Sequence, residues 1–150
     1  MGYCITQTAS NIFIPKELFS YALKEIKEGL NLRIKAALDL RKIGGEPPLG
    51  GGHPYGELMW VDIDEVLTAK DFCDALRKFR WRATLDSEGH LCNLSFLGEK
   101  LGDDFPLFKT IAPYVKEGGY ISMVGEDHKV WRWFFDGEKC IEQRPRLIWE

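Results

Sequence analysis

Residues 130–135, VWRWFF, crowd two tryptophans, two phenylalanines, a valine and an arginine between the turn signals EDHK and DG. A segment so bounded, and so rich in aromatic and β-branched residues, reads as a β-strand. Alternation places Trp131, Trp133 and Phe135 on one face and Val130, Arg132 and Phe134 on the other. A strand apolar on both faces is expected at the centre of a sheet, covered on both sides. Burying one large aromatic removes about 150–250 Å² from water, roughly 4–6 kcal/mol before entropy is counted, so the tryptophan face is read as core.

The surrounding sequence supplies partners for that strand. YISMVG precedes it across the EDHK turn, and KCIEQ follows across DG; Pro145 then bars the tail from a central strand position. A second hairpin is expected from RWRATL, the turn DSEG and HLCNLSF, with Trp81, Ala83 and Leu85 on one face and Cys92, Leu94 and Phe96 on a common face. Each hairpin follows a helical pattern. TAKD reads as a capping box in which Thr68 caps and Asp71 replaces the usual Glu, ahead of a Phe72, Leu76, Phe79 stripe. FPLFKTIAPYV has Asp103 or Asp104 available as N-cap, and Pro113 to end it.

Towards the N-terminus, residues 3–14 read as extended and bent at TASN. KELFSYALKEIKEGL and NLRIKAALDLRKI then carry two helical patterns, and LMWVDI reads as a short strand. GGEPPLGGGHPYG, residues 44–56, reads as a connecting loop and not a P-loop, because no Gly-Lys-Ser/Thr follows. The expected fold is α+β, one domain over 1–150: an antiparallel sheet built from hairpins with helices packed on one side.

Bulk properties exclude several functions. The 20 basic residues stand against 23 acidic ones, a net charge of −3, without the basic excess of a general nucleic-acid binder. Cys4, Cys73, Cys92 and Cys140 form no C-x-x-C pair, which excludes zinc spacing and leaves reduced, buried thiols as the expectation. His53, His90 and His128 lack i, i+4 metal spacing. No apolar run reaches a bilayer's width, so no membrane association and a cytoplasmic location are expected. MGYCIT matches the formal myristoylation pattern but reads more simply as the opening of a strand. Neither a metal nor a cofactor is implied.

Arg132 is the anomaly. A guanidinium between apolar neighbours is paired, snorkelled to an edge, or held for a ligand. Arg80 and Arg82 show the same mixture in RWR. Should the two hairpins join one sheet with matching faces, Arg80, Arg82 and Arg132 would converge beside aromatic rings, a surface for an anionic, planar, nucleotide-like ligand. The simpler expectation pairs these arginines with the abundant Asp and Glu. His128, beside Glu126 and Asp127, joins the ligand-binding candidates as a group that titrates near neutrality. Leu147, Ile148 and Trp149 lie in the tail RLIWE and are candidates for a partner or homo-oligomer contact. Support for catalysis is thin. A small hydrolase or transferase would use Asp103, Asp104 and His128, although helix capping explains the two carboxylates equally well.

GEKLGDD…IAPYVKEGGYISMVGEDHKVWRWFF, residues 98–135, together with the opening MGYCITQ…FIPKE, resembles small, functionally unassigned proteins of bacteria and their phages or mobile elements. The likeness does not extend over residues 31–60. It transfers no catalytic residue. It implies only a context, that of small accessory proteins that bind and block a host component. The thin support for catalysis and the Arg/Trp strands make a non-enzymatic binding protein that sequesters or inhibits a host component, either a protein partner or a nucleotide-like anionic ligand, the leading expectation, with an oligomeric scaffold using the tail as a further alternative.

Overall fold

The computed structural model describes residues 2–42 and 58–150; the loop expected at 44–56, with His53, lies outside them. In chain order the elements are β1 (Ile5–Asn11), α1 (Phe19–Lys42), α2 (Ile63–Leu67), α3 (Phe72–Lys78), β2 (Trp81–Leu85), β3 (Leu91–Phe96), α4 (Asp104–Ile111), β4 (Tyr120–Gly125), β5 (Val130–Phe135) and β6 (Cys140–Gln143). Four strands form an antiparallel sheet in the order β1-β4-β5-β6, while β2 and β3 form a separate two-stranded sheet. The architecture is α+β.

VWRWFF is β5, an interior strand of the larger sheet. Its inner face buries Trp131, Trp133 and Phe135 together with Ile121 and Met123 of β4. Its outer face corrects the expectation of cover on both sides: Val130 and Arg132 are exposed and Phe134 only half-buried. The physical reason is the antiparallel build, which tolerates one solvated face where a parallel sheet does not. Phe108 of α4 lies at the centre of the core, with ring centroids 5.0 Å from Trp81, 5.1 Å from Trp133 and 6.1 Å from Phe135. One aromatic cluster therefore packs against both sheets.

Side chains stitch the sheets where backbone pairing lapses. Thr8 is the extra residue of a bulge in β1, matching the bend expected at TASN. Beside it the Gln7 amide substitutes for a peptide group: its Nε2 donates to Leu94 O at 2.8 Å, and its Oε1 accepts from Phe96 N at 2.8 Å. Ser10 adds a hydrogen bond to Asn93 Oδ1 at 2.7 Å.

Several local expectations change. The two N-terminal helical patterns form one helix, α1, with Ala22, Ile26 and Leu30 buried at four-residue spacing. LMWVDI is not a strand: only Leu58 and Val61 bridge, Trp60 takes a left-handed φ of 67°, and Ile63 opens α2. TAKD is two signals and not one box. Thr68 closes α2, its hydroxyl donating to Asp64 O at 2.9 Å, while Asp71 caps α3 by accepting from Asp74 N at 2.7 Å. In the first hairpin a register shift between Thr84 and Leu85 breaks the alternation, so Leu91 and Leu94 are buried and Leu85 is exposed. α4 stops at Ile111, ahead of a 3₁₀ turn holding Pro113. All four cysteines are free, but only Cys140 is buried. Among the described residues no helix is long and apolar enough to cross a membrane.

Candidate binding surface

The three arginines singled out by the sequence do not converge, because their hairpins belong to different sheets. Arg80 turns inward. It stands between α3 and β2 with a left-handed φ of 74°, and its Nη1 donates to Lys100 O at 2.7 Å. Its Nη2 meets Asp104 Oδ2 at 3.1 Å, and the guanidinium carbon lies 5.3 Å from the Phe96 ring centroid. Gly98 and Gly102 leave the room this requires: a Cβ on either would fall within 2.9 Å or 2.7 Å of the guanidinium nitrogens. Arg80 is thus neutralised inside the fold and offers nothing to a ligand. Arg82 is exposed on β2, opposite Ser95.

Asp104 also changes role. It is 1% exposed and the one buried charged residue among those described. Besides Arg80 it accepts Trp81 Nε1–H at 2.8 Å and Gly102 N–H at 3.0 Å. A carboxylate so fully engaged is a structural anchor. Asp103 occupies the N-cap position of α4 without a capping hydrogen bond; it accepts Met59 N–H at 2.6 Å and faces Arg33 Nη1 at 3.7 Å. The expected capping by these two residues is therefore replaced by long-range ties. His128 is exposed in the β4–β5 turn with φ 65°, and no hydrogen bond or ion pair joins it to either aspartate. The hydrolase or transferase trio is not assembled.

Arg132 is different. It projects from the open face of the four-stranded sheet, where cross-strand register creates three rows. Ser122, Arg132 and Gln143 form the middle row; Tyr120, Phe134 and Ile141 form one flank, and Val124 with Val130 the other. Arg132 Nε donates to Gln143 Oε1 at 2.5 Å, and its guanidinium carbon lies 5.9 Å and 5.5 Å from the Tyr120 and Phe134 ring centroids. No carboxylate of the described residues pairs with it. Fixing Nε and the plane of the group leaves the terminal N–H pairs free for an acceptor.

Beside Arg132 is an open hollow of ≈ 470 Å³ lined by Ser122, Val130, Trp131, Gln143, Arg144 and Pro145. Arg144 escaped the sequence reading. Its Nη2 meets Glu142 Oε2 at 3.0 Å and its guanidinium carbon lies 5.7 Å from the Trp131 ring centroid. The signal was available: a short DG turn pairs Phe135 with Cys140, which by antiparallel counting sets Gln143 opposite Arg132 and Arg144 next in line. Past Pro145 come Arg146 and the tail residues Leu147, Ile148 and Trp149, exposed by 80%, 75% and 87%. On the flanking rows Val130 and Ile141 are 45% and 42% exposed. Among the described residues no three His, Cys, Asp or Glu side chains gather as a metal site would require. Compared with known proteins, the chain matches no family model, no curated protein and no solved structure.

Proposed function

We propose that this chain is a non-enzymatic binding protein that sequesters or inhibits a partner protein by seating an acidic, amphipathic segment on the open β-face around Arg132. This is also the mode of action implied by the small accessory proteins of bacteria and phages that its sequence resembles. The observation that carries the reading is the polar row of Ser122, Arg132 and Gln143 between two apolar rows, with Arg132 paired to no carboxylate among the described residues. A segment with acidic side chains in line and aliphatic or aromatic ones to either side complements that face in charge and in hydrophobicity. Arg144, ion-paired with Glu142, then Arg146 and the exposed apolar tail continue the surface beyond β6.

A nucleotide fits this face less well. The rings nearest Arg132 already stack on its guanidinium, and Trp131 is turned into the core. No unengaged ring of the described sheet residues remains beside Arg132 for a base, and the hollow is open where small-ligand sites are enclosed. Fluorescence anisotropy with short labelled peptides tests the choice. Peptides mixing Glu with Leu and Phe should bind, and their Lys counterparts should not. ATP or pyrophosphate should compete only weakly. Binding of ATP alone, with none of the acidic peptides, would replace the protein-partner reading by the nucleotide one.

A further inference from the structure

Away from the Arg132 face, two reactive side chains meet at the other edge of the sheet. Cys4 and Lys100 form an isolated antiparallel bridge, which aims both side chains the same way from neighbouring backbones. Lys100 Nζ stands 3.0 Å from Cys4 Sγ. Ile5 N–H to Glu99 O at 2.9 Å and Leu101 N–H to Tyr3 O at 2.8 Å clamp the pair on either side. Next to it lies an open hollow of ≈ 510 Å³ lined by Cys4, Thr6, Gln7, Phe96, Gly98 and Glu99, wide enough for a small oxidant to reach the sulfur.

The other three cysteines lack this arrangement. Cys140 is buried, burial and the Asp71 carboxylate push the Cys73 thiol up, and Cys92 donates to Thr84 O at 3.4 Å. The thiolate is the nucleophile in thiol chemistry, and the Lys100 ammonium stands within hydrogen-bond reach of the Cys4 sulfur. The Cys4 sulfur, with Glu126 and Glu99 further off, in turn holds the Lys100 ammonium above the ordinary lysine range.

We infer that Cys4 and Lys100 form a peroxide-reactive dyad that closes to a reversible sulfur–nitrogen cross-link. The Cys4 thiolate attacks one oxygen of hydrogen peroxide; the S–O bond forms and the O–O bond breaks. Sulfur is oxidised to sulfenic acid and the peroxide is reduced to water, the leaving hydroxide taking its proton from the Lys100 ammonium. The Lys100 amine, now neutral, attacks the sulfenyl sulfur, forming S–N and expelling the oxygen as a second water. The product is a sulfenamide of the kind sulfenic acids form with nearby nitrogen nucleophiles. A thiol reductant reopens it by attack at sulfur, becoming oxidised to a disulfide while the amine is released.

Brief treatment of the full chain with hydrogen peroxide, followed by intact and peptide mass spectrometry, tests the dyad. Cys4 should react ahead of Cys73, Cys92 and Cys140, and a species lighter by two hydrogen atoms should join the Cys4 and Lys100 peptides until reductant is added. Lys100→Gln should slow Cys4 oxidation roughly tenfold. Lys100→Arg, which keeps the cation but cannot close the link, should retain the fast first step and accumulate a dimedone-trappable sulfenic acid. Oxidation of Cys4 no faster than Cys92, an unchanged rate in Lys100→Gln, or absence of the lighter species would each overturn the proposal. Circular dichroism of both variants separates a lost dyad from a lost fold.

Discussion

Asp104 accepts hydrogen bonds from both Arg80, just ahead of β2, and Trp81, its first residue, and so fixes the first turn of α4 to the two-stranded sheet from inside the core. Breaking such a pair leaves an uncompensated buried charge. Asp104→Ala should cost about 3–5 kcal/mol by urea denaturation. Asp104→Asn keeps an acceptor for the Trp81 indole and should cost less than the alanine change, yet still leave Arg80 unpaired. A loss under about 1 kcal/mol in Asp104→Ala would mean that the carboxylate is solvated in a way its burial does not allow.

The tryptophans divide sharply by role. Trp133 is fully buried against Phe108, whereas Trp149 stands free in the tail. Trp133→Ala should destabilise the fold by about 3–5 kcal/mol. Trp149→Ala should leave the melting temperature unchanged and weaken partner binding. Thermal melts of the two variants side by side check the contrast; comparable losses would show that the tail is part of the core.

The DG turn carries an acid-sensitive carboxylate. Backbone N–H groups of Lys139 and Glu138 donate to Asp136 at 2.8 Å and 2.9 Å and hold its carboxyl below the ordinary aspartate value of 3.8. A folded-state pKa lower than the unfolded one stabilises the native chain above that ordinary value and loses the contribution as pH falls below it. The stability gap between wild type and Asp136→Ala should therefore be full at neutral pH and narrow as pH drops below 3.8. Acid titrations followed by circular dichroism read it; a gap that widens in acid would reverse the assignment.

Cys140 behaves as the opposite case. Burial, with the Glu142 carboxylate adding to it, pushes the thiol up to about 12. Here the folded-state value exceeds the unfolded one, so the neutral thiol's stabilising contribution is intact below the ordinary value of 9.0 and is lost as pH rises from there through about 12. At pH near 8 native Cys140 should resist iodoacetamide and react only on unfolding. Native labelling as fast as that of Cys92 would contradict its burial.

How much of this was legible in the sequence follows from which interactions are local. Alternation in VWRWFF identified the core face of β5, because a strand's period of two is a property of the segment itself. The DG and EDHK turns gave the hairpins for the same reason. What failed was non-local. Nothing in RWR distinguishes Arg80 from Arg82; the difference lies in Asp104, 24 residues away, and in the space left by Gly98 and Gly102. That the two hairpins sit in separate sheets depends on Gln7 and Ser10 filling the seam, 83 to 89 residues from their partners. The solvated outer face of β5 depends on where the helices pack, which no strand pattern encodes.

In the function proposed above, Arg132 reads negative charge on a segment laid over the open sheet. A charge-swap cycle measures this directly: wild type and Arg132→Glu, each titrated with an acidic amphipathic peptide and with its counterpart carrying Lys at the central acidic position. Arg132→Glu should weaken the acidic peptide by at least about tenfold, or 1.4 kcal/mol, and the Lys peptide should recover much of the loss on the variant. Equal affinities of both proteins for both peptides would contradict it.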